Sequence, residues 1–244
     1  MVDFIQSECW LSSSKLLGGY FNMLPLVYYL FNSKNHQVPN SQIDRVRKAI
    51  YLFGFTSPFS RYADSRIGKF IREALKPLVE KNDETFPLEK CVYWVYSWER
   101  VERYDAKLLR RNVLLTLHLV QRHSGAKIHY DKNAPQIDHI FPSSTLPEKE
   151  YDEASINHFA NFWILAKNKN QNKSNKHPRE YFKDIDDAIL QRAYIDRKLL
   201  DYKHYKTFLK EREAKILKHI KRELKLSNTD FDFTESVRLL YGNR

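Results

Sequence analysis

Asp138 and His139 stand side by side in the run Ile137-Asp138-His139-Ile140-Phe141-Pro142. A carboxylate is a hard oxygen ligand for Mg²⁺ or Mn²⁺. An imidazole, with an ordinary pKa of about 6.5, accepts a proton at neutral pH. A second polar group follows at a loop's distance. Asn161 opens the short apolar run Phe162-Trp163-Ile164-Leu165, and Asn168, Asn170, Lys173, Ser174 and Asn175 come after it. Asn170 and Lys173 are three residues apart, so on a helix they share a face. Asn170 offers an amide oxygen to a metal, and Lys173 offers charge to a phosphate. Asn161 is placed to hold the His139 ring through a side-chain or backbone oxygen, which would fix the ring nitrogen that faces a water. Phosphodiester hydrolysis needs such a set: an in-line water, a base to take its proton, and charge beside the phosphate oxygens.

Each part has a plainer reading when taken singly. An Asp-His pair is an ordinary surface dipeptide, an Asn-rich stretch is a turn or loop, and one lysine is a solvated cation. Their joint order and spacing point to a site. One geometric condition must be met. Neighbours in a strand point to opposite faces, so Asp138 and His139 can serve one centre only where the strand ends or bends. Pro142 and the loop after it predict such an end.

The elements that must carry these residues are mostly helical. Residues 23–31 are almost continuously apolar, which predicts a buried helix. Ile43, Val46, Ile50 and Phe53 fall at helical spacing behind Pro39-Asn40-Ser41. Ile67, Phe70, Ile71, Ala74, Leu75 and Leu78 form another apolar face, with Pro77 near its end. Residues 80–87 are charged and linker-like. Residues 107–120 are apolar on most sides and predict a central helix. The pattern then changes. Residues 127–130 predict a short strand, 131–135 a turn, and 136–141 a second strand. Residues 162–165 are strand-like, and 166–174 are polar and helical. From 206 to 224 a long helix returns, with Leu209, Ile216, Ile220 and Leu224 on one side and lysines around it. Thr234 is placed to cap a last short helix ended by Gly242.

The expected architecture is therefore mainly α with a small β-hairpin. It divides into a helical region at 1–105, a core with its leading helix at 106–182, and a C-terminal helical extension at 183–244. The hairpin needs helical support, since two strands alone are marginal.

Composition is compatible with this reading. The formal charge of +11 favours a polyanionic partner, although a lysine-rich solvated surface has the same balance. Cys9 and Cys91 form no Cys-x-x-Cys pair, which argues against a disulfide framework and a thiolate zinc site and for a reduced, cytoplasmic setting. Met1-Val2-Asp3 lacks the basic start of a secretory signal, and no apolar run is long enough to span a membrane. His158 and His177 flank the polar segment and read best as exposed polar residues. Lys167, Lys169, Lys176 and Arg179 are candidates to line a phosphate groove. The aromatic run Tyr93-Trp94-Val95-Tyr96-Ser97-Trp98 reads as core packing, with base stacking as the other use.

The segments from Asp138 to Pro142, from Asn161 to Leu165 and from Asn170 to Pro178 resemble the HNH (ββα-metal) nuclease domain of GmrSD-type and SspE-like proteins, which act in modification-dependent restriction and anti-phage defence. The HNH domain of CRISPR effectors has a similar arrangement. The upstream helical region, from Leu17-Gly18-Gly19-Tyr20 through Tyr29, also looks like the region preceding the nuclease in that family. The resemblance implies a ββα-metal core embedded in helical segments. It implies His139 as general base, Asp138 and Asn170 as ligands of one Mg²⁺ or Mn²⁺, Asn161 as the orienting asparagine, and DNA, phage or modified, as substrate. Family members usually begin with a nucleotide-binding half carrying an Asp-Gly-Gln-Gln-Arg motif, which this sequence lacks. The resemblance therefore implies either a C-terminal piece of a longer protein, partnered by an N-terminal NTPase or sensor half absent from this chain, or a stand-alone nuclease module. Two alternatives stay open: a nucleic-acid-binding module with a degenerate HNH scaffold, and an RNase with the same chemistry.

Overall fold

The computed structural model describes residues 1–9, 14–101, 105–121, 135–146, 150–166 and 176–224. These are mainly helical, with one two-stranded antiparallel sheet among them. Two compact units divide the chain, one built on Met1–Leu115 and the other on Thr116–Arg222. None of the described helices is long and apolar enough to cross a membrane.

The first unit contains α1 (Val2–Ser7), α2 (Leu24–Asn32), α3 (Ile43–Thr56), α4 (Ala63–Phe70), α5 (Lys76–Glu80), α6 (Leu88–Glu99) and α7 (Ala106–Arg111). α3 is its axis. A 3-10 turn at Asn40–Gln42 leads into it, and Ser57, in the left-handed region at φ 48°, ends it just before Pro58. Val46, Ala49, Ile50 and every residue from Tyr51 to Thr56 are buried. Gly54 is required there, because a Cβ would lie 2.6 Å from both the Leu115 side chain and the Leu16 carbonyl oxygen. The apolar face expected around Ile67 and Phe70 forms, with Ile67, Phe70, Ala74 and Leu75 buried. A π-helical turn at Ile71–Leu75 joins α4 to α5, and Pro77 sits in the first turn of α5, where a missing N–H costs little. Trp94 packs on Phe70 (ring centroids 5.0 Å) and Trp98 on Phe59 (5.9 Å), so the tryptophans of the aromatic run pack on the core while Tyr93 is exposed.

Two expectations change in this unit. Residues 80–87 are no linker. Tyr29 donates a hydrogen bond to the Glu84 carbonyl, Phe86 is fully buried, and its N–H donates to the Gln42 side chain. α2 is buried on one side only, through Pro25, Leu26 and Tyr29, while Leu24, Val27 and Phe31 are exposed. A continuous apolar run carries no periodicity and so cannot reveal which side is covered.

The expected central helix is broken at Asn112 into α7 and α8 (Val113–Gln121). The Asn112 side chain accepts from Leu115 N–H and donates to the carbonyls of Leu16 and Gly54.

In the second unit, β1 (Pro135–His139) pairs antiparallel with β2 (Phe162–Ala166), with His139 opposite Phe162 and Asp138 opposite Trp163. The sequence predicts β1 two residues longer. Ile140 and Phe141 instead turn inward and are fully buried, Phe141 against Tyr205 and Phe208. The predicted strand at 127–130, most of the predicted polar helix at 166–174, and the last helix near Thr234 lie outside the described residues. The strands are joined through residues 140–161, which include α9 (Glu153–Ile156). After β2 come α10 (Pro178–Tyr181), α11 (Asp187–Arg192) and α12 (Tyr205–Glu223). Their residues do not form a separate extension: Phe182, Leu190, Ile195, Leu200, Tyr205 and Phe208 share one core with Ile140, Phe141 and Trp163.

Side chains also pin β2 in place. Gln121 accepts from Ile164 N–H (2.8 Å) and donates to its carbonyl (3.4 Å). Arg212 of α12 is 1 % exposed and donates to the carbonyls of Ala160 (2.6 Å), Phe162 (2.7 Å) and Ala193 (3.1 Å). Burial pulls its guanidinium down to about 9, which still leaves it charged at neutral pH. Arg212→Ala would strand three carbonyls and open a cavity, a loss of about 3 kcal/mol. The melting temperature should fall by roughly 6–12 °C in a circular-dichroism melt; an unchanged melt would show that these bonds contribute nothing net.

Candidate active site

His139 is the last residue of β1 and is half-buried. Its ring lies against that of Phe162, its cross-strand neighbour, with centroids 4.5 Å apart. Its Nε2 is 3.0 Å from Oδ1 of the exposed Asn157. An amide oxygen only accepts, so Nε2 carries the proton and Nδ1 the lone pair in the neutral ring. Asn157 is thus the residue that orients the imidazole, and the sequence reading passed over it. Nothing in a single sequence separates it from other loop asparagines; its spacing of four from Asn161 is the only hint.

Asp138 is half-buried and belongs to the other face of the sheet, the face of Trp163. Trp163 packs there on Phe182 and Tyr181. Burial first, and the Asp138 charge second, push the Tyr181 phenol up to about 12, so it keeps its proton near this carboxylate. The strand ends at His139, as expected, yet the pleat still separates the two side chains by face. A phosphate reached by both must therefore lie beyond the end of β1 rather than over one face.

Asn161 does not perform the role first assigned to it. Its side chain is fully buried and works on backbone: Oδ1 accepts from Phe141 N–H (2.9 Å), and Nδ2 donates to the carbonyls of Phe141 (3.1 Å) and Ile156 (3.0 Å). Its carbonyl accepts from Ile140 N–H. It fixes the chain on both sides of His139's strand end and positions the imidazole only through that backbone. His158 is not the exposed polar residue the sequence predicts, and His177 is half-buried. His158 is buried, accepts from Ala160 N–H and lies 2.8 Å from Glu213; His177 accepts from Arg179 N–H and packs on Tyr202.

Lys176 and Arg179 are exposed, and Arg179 is 3.6 Å from Asp201. Lys167, Lys169, Asn170 and Lys173 lie outside the described residues. Among the described residues no group of three or more His, Cys, Asp or Glu side chains converges as a metal cluster. Cys9 and Cys91 are both buried, and burial pushes the Cys91 thiol well up.

No family model, curated protein or solved structure matches this chain.

Two substitutions test the geometry. Asn161→Ala leaves three buried backbone groups without partners, and urea unfolding should show about 2–4 kcal/mol lost. Asn157→Asp places a carboxylate beside Nε2–H, which stabilises the imidazolium and raises the His139 pKa. NMR titration of the His139 ring should move to higher pH; an unmoved midpoint would remove Asn157 as its partner.

Proposed function

We propose that this chain is a metal-dependent endonuclease that hydrolyses DNA phosphodiesters one strand at a time, with His139 as general base, and that it serves as the effector of a phage-restriction system. The observation that carries the reading is His139 itself: a half-exposed imidazole at a strand end, oriented through Nε2 by Asn157, next in sequence to a carboxylate. In this reading Nδ1 takes the proton of an in-line water. The water oxygen bonds to phosphorus, and the opposite P–O bond breaks.

Asp138 and Asn170 are the proposed metal-holding residues. Two hard oxygens suit Mg²⁺ or Mn²⁺, which take few protein oxygens and keep several waters. Such a cation, when bound, supplies positive charge beside the phosphate oxygens. Lys173 is proposed to face the scissile phosphate, with Lys167, Lys169, Lys176 and Arg179 along the flanking backbone. Tyr181, protonated near Asp138, is a further donor at that face. Asn161 holds the strand end without touching substrate.

The charge distribution of α12 supports a polyanionic substrate. From Tyr205 to Glu223 there are five lysines and two arginines against three glutamates. Glu213 turns to His158 and Glu211 lies 3.9 Å from Lys215. Lys206, Lys210, Lys218 and Lys221 are exposed along the helix, while its other side packs in the core.

Incubated with supercoiled plasmid and Mg²⁺ or Mn²⁺, the protein should produce open circles, and a chelator should stop it. His139→Ala should slow nicking by about 10²–10⁴-fold with duplex binding intact. Binding without any nicking would replace the enzyme by a binding module, and cleavage confined to RNA would change the substrate.

A further inference from the structure

We propose that the exposed face of α2 is the contact between two copies of this chain. Leu24, Val27 and Phe31, spaced by three and four, share one face of α2, and Tyr20 and Phe21 lie in the 3-10 turn Tyr20–Met23 that leads into it. Tyr20, Leu24, Val27 and Phe31 are 77, 45, 44 and 70 % exposed, and Phe21 is 52 % exposed. An exposed contiguous apolar patch of this kind marks an interaction surface. Several of its polar neighbours are already bonded within the protein. Asn22 is buried and bonded to Leu17 and Phe59, Asn32 and Ser33 bond back to the helix, and the His36 ring stacks on Phe31.

Three observations select a second copy as the occupant. The first is charge. Residues 16–33 contain no charged side chain, although 29 % of the whole chain is charged and its net charge is +11. Two such chains repel wherever their charged surfaces meet, and this face lets them approach without that penalty. A charged partner would find nothing to pair with here. The second is symmetry. On α2 the stripe is Leu24, Val27 and Phe31, with Val27 near its middle. A two-fold axis beside Val27 that pairs two such helices antiparallel sets Leu24 against Phe31 of the other copy, as an isologous interface requires. The third is area. The five side chains expose on the order of 500 Å² per copy. Two copies together would then bury about 1,000 Å², where specific interfaces begin, before the half-exposed Tyr28 and the stacked His36 are added. A membrane surface fits less well, because a helix lying on lipid presents lysine or arginine beside its apolar face.

The proposal does not depend on the nuclease reading; if both hold, each assembly carries two single-strand sites. Sedimentation velocity of the full chain from about 1 to about 100 µM should show the mass rising from 29.2 kDa toward twice that value. Leu24→Glu combined with Phe31→Glu should hold it at the monomer mass with unchanged circular dichroism. Phe31→Glu alone, at a 70 % exposed position, is the second variant should the pair misfold. A wild type that stays monomeric throughout, a dimer indifferent to both variants, or a monomer that instead pellets with anionic phospholipid vesicles would each overturn the assignment.

Discussion

The amide of Asn161 holds the chain where it leaves one strand and enters the other. Five hydrogen bonds tie this residue to Ile140, Phe141, Ile156 and His158, and all of it is buried. Buried backbone groups need partners, and Asn161 supplies them for Ile140, Phe141 and Ile156. The carbonyls on either side, of Ala160 and Phe162, are held in turn by Arg212. Asn157, which faces the imidazole, sits between two such fixed points. Ile156 is bonded to Asn161, and His158 caps Ala160 and pairs with Glu213. The exposed pair of His139 and Asn157 is therefore the visible end of a buried polar network.

The pleat of β1 keeps its two unlike groups, the imidazole and the carboxylate, on opposite faces of the sheet. His139 keeps the company of Phe162, which desolvates one side of the ring, and of Asn157, which selects its tautomer. Asp138 keeps the company of Trp163 and Tyr181, an aromatic wall that sets its charge apart from the imidazole. Both residues are half-buried where β1 stops.

Local pattern made much of this readable. Helical periodicity gave α3, the α4–α5 run and α12, and composition gave β2 to within one residue. The misreadings share a cause, which is contact between residues distant in sequence. Alternation predicts β1 through Phe141, but Phe141 is claimed by Tyr205 and Phe208 of α12. A continuous apolar run predicts a buried α2, but burial is decided by what packs against each side. Asp138 and His139 could be picked out because chemistry forces the residue types. Asn161 had the right type and a different task, since an amide's partners depend on where the backbone turns. Arg212 and His158 look like surface residues in a sequence; only the fold places them inside.

The pairing of Gln121 with Ile164 has a consequence for how this protein can associate. A sheet edge normally offers a free N–H and C=O to any passing strand. At Ile164 both groups are occupied by one side chain, which mimics a neighbouring strand without being one. Addition of a further strand is blocked at that position, so the side chain of a helix closes the sheet there in place of a third strand.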